Sequence, residues 1–394
     1  MTTLHIAIVT GQPLANFIPI LQERPQQVLL LQRPSMRRQA EQFQRALHEI
    51  GYHTGQIDID ETLPETGFED LGEYALDLQQ RINERYPDAE ITWNATGGTK
   101  LMALALWDLF DARRVRVIYL DTQHGLMEQL RPKPGVIPLE SVLTPELYLT
   151  AMGKIFRSAL TRNTTWIEMA LYRSRITFKL AKNAGSLLRL FQQWQRTWDK
   201  SDRCPATLSV DSKNALHNQI MKALSESGVV VITDESTYQP PNASSIEYLT
   251  GGWLEEYVYL AAKDAGIEHV EVGLKFGDRA QRKKGQDNEI DGFLIHNNRL
   301  LLVECKTGNL LRDGRDTDIV YKLDSIGQNA GGVQATRLLL SAQPLEHITG
   351  TQRRVDTRAR ARATRIETLA GGEIARFKQA LIHWRDTGQW SASP

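Results

Sequence analysis

The sequence predicts an α/β protein with a Rossmann-like first domain, a mostly helical connector and a second α/β domain at the C-terminal end. Three observations predict it. Apolar strand candidates alternate with helical periods over residues 1–135, the pattern of a parallel sheet wrapped by helices. Residues 136–245 are mainly helical in period, after Pro132, Pro134 and Pro138. Residues 246–394 give a helix, three strands, a helix and another strand. A length of 394 residues suits two or three such cores.

In the first domain, His5–Thr10 and Gln27–Leu31 read as strands, with a short helix at Asn16–Leu21 between them. Ser35 is placed to cap the next helix, whose apolar face is Met36, Ala40, Phe43, Leu47 and Ile50, and Gly51 stops it. Strand Gln56–Ile59 follows, then a helix marked by Leu71, Ala75, Leu78 and Ile82. Strand Glu90–Trp93, helix Lys100–Phe110 and strand Val115–Leu120 complete the block. In the connector, helices are predicted over Leu147–Leu160, Ile167–Lys182, Ser186–Trp198 and Ala215–Leu224, with a strand at Val229–Thr233. A winged-helix-like arrangement is open there, and Gln239-Pro240-Pro241-Asn242 reads as a linker. The last block predicts helix Trp253–Ala265, strands His269–Phe276, Glu289–His296 and Arg299–Lys306, helix Thr317–Ile326 and strand Ala335–Ser341.

Composition narrows the function. Lysine plus arginine balance aspartate plus glutamate at 47 each, so contact with nucleic acid must come from local patches. Two distant cysteines, Cys204 and Cys305, give neither a disulfide framework nor a zinc pattern. The histidines are scattered without ligand spacing. No signal peptide and no membrane span is read, so the cytoplasm is the expected compartment.

The segment from Glu289 to Lys306 carries the most chemistry. Asn297-Asn298 suits a two-residue hairpin turn, because asparagine tolerates positive φ. His296 then faces Arg299, Asp291 faces Glu304 and Glu289 faces Lys306. Glu304 and Lys306 share one face, roughly 6–7 Å apart. Two carboxylates opposed across a ladder repel, and a divalent cation removes that cost. Their oxygens suit Mg²⁺ or Mn²⁺, with the backbone carbonyl of Cys305 as a further ligand. Lys306 is placed to position or deprotonate a water, or to stabilise charge on a phosphate. A solvated face or a plain Lys306–Glu289 ion pair is the competing account. Against it, Leu300–Val303 is a continuous apolar run, and charges at its end are costly unless they work. On the preceding helix, Glu255 or Glu256 could reach the metal, with Glu255 favoured; two acids at a helix start also occur for the dipole alone.

This order of helix, strands, paired acids and lysine resembles the PD-(D/E)XK restriction-endonuclease-like superfamily over Gly251–Ser341, with Ile290 where the motif has proline. The resemblance implies metal-dependent hydrolysis of nucleic-acid phosphodiesters. Weak nucleic-acid contacts are expected from Lys275, Arg279, Arg282, Lys283 and Lys284, and from the arginine run Arg353, Arg354, Arg358, Arg360, Arg362 and Arg365. Both runs also read as ordinary solvated charge.

In the first domain, Asn94-Ala-Thr96-Gly97-Gly98-Thr99-Lys100 joins a strand to a helix. Small residues there let a ligand reach backbone N–H groups at the helix start. The segment is neither a P-loop nor a dinucleotide fingerprint, and a tight turn needing glycines is its bland reading. Gly11, Gln12, Pro13 and Leu14 follow the first strand, and Ser35 follows the second, on the same rim. Together with the nuclease pattern, the set resembles the CARF sensor domains of type III CRISPR nucleases. That resemblance implies a homodimer activated by a cyclic oligoadenylate, cyclic tetra-adenylate before cyclic hexa-adenylate, and acting on DNA, RNA or both. Two alternatives stay open: a ligand-sensing regulator that binds nucleic acid without cutting it, and a constitutive repair or restriction nuclease.

Overall fold

A computed structural model describes residues 2–107, 115–121, 124–198, 206–279, 287–308, 315–331, 335–349 and 353–391. The chain divides into two compact units, 1–156 with 277–284, and 157–276 with 285–394.

Unit one alternates as predicted: β1 (Thr3–Ile8), α1 (Leu14–Glu23), β2 (Gln27–Leu31), α2 (Arg37–Glu49), β3 (Ile57–Asp60), α3 (Phe68–Arg85), β4 (Glu90–Asn94), α4 (Lys100–Trp107) and β5 (Val115–Asp121). These five strands pair in parallel in the order β3-β2-β1-β4-β5. The order reverses between β1 and β4, so their carboxyl ends open on a crevice at the switch point. The strands are near-continuous apolar runs such as Ile6–Val9 and Val28–Leu31, buried as a sheet covered on both faces requires.

Three features depart from the sequence reading. β6 (Leu126–Arg131) and β7 (Gly135–Pro138) extend the sheet in antiparallel fashion. Only Met127 of that hairpin is deeply buried, so no apolar alternation announced it. The helix expected over Leu147–Leu160 is instead α5 (Pro145–Ala151) followed by β8 (Lys154–Ser158). Gly153 at φ +70° breaks it. Ser35 does not cap α2 either; it lies in a short 3₁₀ turn, Pro34–Met36.

Unit two begins with helices α6 (Thr164–Tyr172), α7 (Ser174–Lys182) and α8 (Leu188–Thr197). β9 (Leu208–Ser209), α9 (Ala215–Glu226), β10 (Val231–Asp234) and β11 (Thr237–Gln239) follow, the strands forming an antiparallel sheet in the order β10-β11-β9. Asn242 of the proline linker caps α10 (Ala243–Glu247) through its side chain. A π-helical turn, Tyr248–Gly252, leads into α11 (Trp253–Asp264). β12 (His269–Asp278), β13 (Asn288–His296), β14 (Arg299–Lys306), α12 (Arg315–Ile326) and β15 (Thr336–Ser341) match the expected elements. They are followed by β16 (Glu346–Thr349), β17 (Arg353–Asp356), α13 (Thr357–Ala363), β18 (Glu367–Ala370) and α14 (Phe377–Thr387). The main sheet runs β18-β15-β14-β13-β12-β8, antiparallel from β12 to β14 and parallel from β14 to β18.

The helical stretch read as a connector shares its core with this sheet. Phe191, Trp194 and Trp253 pack in one cluster with Leu301, Val303 and Leu338. Phe191 stacks on Trp253 at 5.0 Å. A one-dimensional reading cannot show this, because helical periodicity marks a buried face but not its partner.

Candidate active site

The site is built on the β13–β14 hairpin. Asn297 and Asn298 have φ 48° and 60°, the left-handed pair of a type I′ turn. The ladder runs in the predicted register from His296–Arg299 to Gly292–Val303. One step further stand Asp291 and Glu304, and there the Cys305 N–H donates to Asp291 Oδ2 at 2.7 Å. The expected pairing of Glu289 with Lys306 is replaced: Glu289 lies 3.6 Å from Lys275 on β12. Lys306 turns instead to the acids. Its Nζ donates to Glu304 Oε1 at 2.6 Å and to the Cys305 carbonyl at 2.9 Å, and lies 3.6 Å from Asp291 Oδ2.

Burial makes this cluster unusual. The Glu304 side chain is 1% exposed, at the end of a strand whose residues Leu300–Val303 are fully buried. Lys322 on α12 also donates to Glu304 Oε1, at 3.2 Å. Glu304 Oε2 is buried and accepts from no donor among the described residues. A buried carboxylate oxygen without a donor is costly, and it has the chemistry of a ligand for a hard cation. Among the described residues no group of three or more His, Cys, Asp or Glu side chains is arranged as a metal site. Two carboxylates are nevertheless what Mg²⁺ commonly uses, the remaining positions going to water and substrate. Asp291, Glu304 and the Cys305 carbonyl therefore fit such an ion.

Electrostatics agree with that chemistry. Burial first and the Glu304 charge second raise the Asp291 carboxyl to about 6, against the opposing pull of Lys306, the Cys305 N–H and Lys322. Burial alone would lower Lys306, yet Asp291 and Glu304 outweigh it and hold the ammonium above its ordinary value. Lys306 is thus a cation at neutral pH, suited to holding water or phosphate rather than to removing a proton. Asp291 also predicts a stability effect. Its folded pKa lies above the ordinary carboxylate value, so its contribution is full below about pH 4. That contribution is lost as pH rises through 6. Asp291→Asn should melt higher than wild type in EDTA at pH 8, with the gap closing toward pH 5. A variant that melts lower at pH 8 contradicts this account.

Packing distinguishes the two helix carboxylates. Glu256 is buried and bonded to Arg173 and, at 3.3 Å, to Thr177, a structural pairing inside unit two. Burial raises its carboxyl despite Arg173. Burial first, then the charges of Asp291 and Glu255, raise the Cys305 thiol, so Glu255 acts on the end of β14. Gly292 allows the close approach of α11: a Cβ there would stand 2.9 Å from Val303 Cβ and 3.2 Å from Val258 Cγ1. Val258 is one turn beyond Glu255.

Lys322, Thr307 and Gln195 were not visible as site residues in the sequence. Thr307 follows Lys306 and donates to the Thr250 carbonyl at 2.7 Å. Gln195 of α8 donates to the same carbonyl and, at 3.2 Å, to Thr307 Oγ1. These bonds fasten the end of β14 to the start of α11.

The basic residues divide. Arg279 belongs to unit one, where it pairs with Glu49. It is therefore not a group of the nuclease unit. Arg282, Lys283 and Lys284 lie outside the described residues, as do the side chains of Arg353 and Arg354. Arg358 pairs with Glu346 and Glu373, and Arg360 donates to Thr317.

In unit one, the loops after β1 and β4 meet. Asn94 donates to the Ala15 carbonyl at 2.8 Å and to Asn16 Oδ1 at 3.2 Å, while Asn16 donates to the Ile8 carbonyl at 2.8 Å. Thr96 is spent on the loop itself: its hydroxyl donates to Asn94 at 2.6 Å and accepts from Leu120 N at 2.7 Å. Gly97 is buried against β1, where a Cβ would stand 2.6 Å from the Ile8 carbonyl and 2.7 Å from Thr10 Cγ2. Gly98 has φ +84°. Thr99 caps α4 by accepting from Met102 N at 3.3 Å. Gly11, Gln12, Gly98, Thr99 and Lys100 are exposed on this rim, and Pro13 and Leu14 partly so. Ser35 is engaged by Glu65, which accepts from its N–H at 2.7 Å and its hydroxyl at 3.0 Å. Those bonds hold Glu65 below the usual carboxylate range. A carboxylate beside Ser35 disfavours an anion there.

Two family models match separate stretches of the chain. Residues 4–148 match the family model described as Card1 CARF domain, and residues 243–387 the model described as Card1-like, endonuclease domain. A curated relative is the CRISPR system endoribonuclease Csm6 of Thermus thermophilus. It is 27% identical over 128 residues, which cover 31% of this chain and 28% of that protein. The fold resembles VC1899 from Vibrio cholerae, with a TM-score of 0.79, 20% identity and 99% of both chains covered. It also resembles Can2 from Sulfobacillus thermosulfidooxidans, solved with cyclic tetra-adenylate, with a TM-score of 0.74 and 21% identity over 97% of this chain and 99% of that one.

Proposed function

Since the chain belongs to the CARF-domain CRISPR nucleases, a Card1-type sensor joined to a Card1-like endonuclease domain, we propose that it is a metal-dependent endonuclease switched on by a cyclic oligoadenylate. The observation that carries the catalytic half is Glu304, buried with one oxygen lacking a donor, beside Asp291 and Lys306. These residues fit the PD-(D/E)XK arrangement. Asp291, Glu304 and the Cys305 carbonyl would hold Mg²⁺ or Mn²⁺, whose chemistry when bound is to acidify water and offset phosphate charge. Lys306 donates hydrogen bonds to the attacking water or to a phosphate oxygen. Glu255, whose charge acts on Cys305, orients water. Hydrolysis adds water across one P–O bond; the departing oxygen takes its proton from solvent.

The sensing half rests on the rim built by Gly97. The α4 N-terminus with exposed Lys100 offers N–H groups and a cation to a phosphate. Cyclic tetra-adenylate is the proposed activator, because Can2 shares the fold and holds that ligand. A homodimer is proposed, with the ring between two sensor units. Its support is the apolar surface of Leu76 on α3 and Leu101 and Leu104 on α4, exposed by 68%, 49% and 60%. Ring binding then favours the cutting arrangement to the extent that it binds that state better. No helix among the described residues is long and apolar enough to cross a membrane; action in the cytoplasm is proposed.

The test is cleavage of matched single-stranded DNA, supercoiled DNA and RNA, with Mn²⁺, Mg²⁺ or EDTA, and with cyclic tetra-adenylate, cyclic hexa-adenylate or none. Cleavage requiring both divalent ion and ring is expected. Ring-independent cleavage overturns the switch, and ring binding without cleavage of any substrate favours a regulator.

A further inference from the structure

We infer that Lys322 of α12 is a second phosphate-binding lysine of the nuclease site, one that touches the substrate strand at the scissile position. This rests on the nuclease reading above. The sequence pattern of the site contains one lysine, Lys306. The structure brings two ammonium groups to one carboxylate oxygen, Lys306 at 2.6 Å and Lys322 at 3.2 Å from Glu304 Oε1.

The two lysines differ in exposure. The Lys306 side chain is 26% exposed and is engaged by Glu304 and the Cys305 carbonyl. The Lys322 side chain is 47% exposed and, among the described residues, its one ion pair is with Glu304. An ammonium has three donors, so two N–H groups of Lys322 are left for a ligand. It is held at the edge of a buried acid pair, on the side open to solvent.

Charge counting gives the same assignment. Asp291, Glu304 and Glu255 carry three negative charges, and Lys306 and Lys322 carry two positive ones. With a divalent cation the cluster is net positive, whereas without Lys322 it would be neutral, so Lys322 supplies the attraction for a phosphodiester. Charge developing on phosphate during displacement is where a preorganised donor has its largest effect.

The test uses the full chain with cyclic tetra-adenylate. Binding of a labelled single-stranded DNA oligonucleotide, and of RNA of the same sequence, is measured by anisotropy in EDTA across a salt series. Cleavage is measured in Mn²⁺. Lys322→Ala should weaken binding about tenfold and flatten the slope of log K against log salt by about 0.7, one phosphate contact to a single strand. It should lower kcat roughly 10²-fold. Lys322→Arg should restore the salt slope. A purely structural Lys322 changes the melting temperature but not the slope. Wild-type affinity and slope in Lys322→Ala, with wild-type cleavage intact, overturn this inference alone. A wild-type chain that neither binds nor cuts overturns the nuclease reading and this inference with it.

Discussion

Lys306→Ala is expected to lower ring-activated cleavage by about three orders of magnitude, while binding of cyclic tetra-adenylate stays at the wild-type level. Among the described residues, Lys306 is the one group that reaches both Asp291 and Glu304, 2.6 Å from Glu304 Oε1 and 3.6 Å from Asp291 Oδ2. Alanine removes the donor proposed to face developing charge. It also leaves two carboxylates opposed in a buried place, so part of the loss comes from their protonation. The second effect predicts a pH signature: residual activity should shift to higher pH. Removing one member of a buried ion cluster costs about 3–5 kcal/mol, so melting is measured alongside. Ring affinity is the control for folding of the sensor, because the two units are compact by themselves. Cleavage within tenfold of wild type would remove Lys306 from the site.

Gly97→Val is expected to weaken binding of the ring by at least about 10²-fold. A Cβ at Gly97 would stand 2.6 Å from a backbone oxygen, Ile8 O, and 2.7 Å from Thr10 Cγ2. Backbone cannot move aside as a side-chain tip can. The loop must lift away from β1, taking Gly98, Thr99 and the α4 N-terminus with it. Overpacking of this kind costs about 1–3 kcal/mol. The bonds of Asn94 and Thr96 that tie the loop to Ala15, Asn16 and Leu120 are strained together. Calorimetry with cyclic tetra-adenylate reads the affinity directly. Gly11 has no atom near its Cβ position, so Gly11→Ala serves as the mild comparison. Undiminished affinity in Gly97→Val would separate this loop from the ring.

The hairpin shows how much was legible. Asn297-Asn298 between apolar runs defines a type I′ turn, and the turn fixes the register. From that register alone Asp291 and Glu304 become neighbours across the ladder. The strand–helix alternation of unit one was equally readable, because apolar runs such as Val28–Leu31 recur between helical periods, as in a sheet covered on both faces. The hairpin β6–β7 was not, since it buries little and carries mixed residues.

Glu255 and Glu256 mark where local rules end. They are adjacent, chemically alike and equally good at a helix start. Only Arg173 and Thr177, from a helix some eighty residues upstream, show that Glu256 is spent on packing. Ser35 and Thr96 are similar cases: polar residues on the predicted rim whose hydroxyls already serve Glu65 and the loop.

By itself, then, the sequence determined the two α/β blocks, the hairpin turn and the acid–acid–lysine set of Asp291, Glu304 and Lys306. Each follows from spacing within a few residues, where backbone geometry leaves one outcome. Tertiary structure decided the rest. It placed Lys322 and Lys306 on one oxygen, gave Glu256 to Arg173, closed Gly97 on Ile8 and packed α8 into the nuclease core. The physical reason is common to all four. Long-range contacts are selected by shape and charge in three dimensions, and a helical or strand period specifies which face is buried without specifying what buries it.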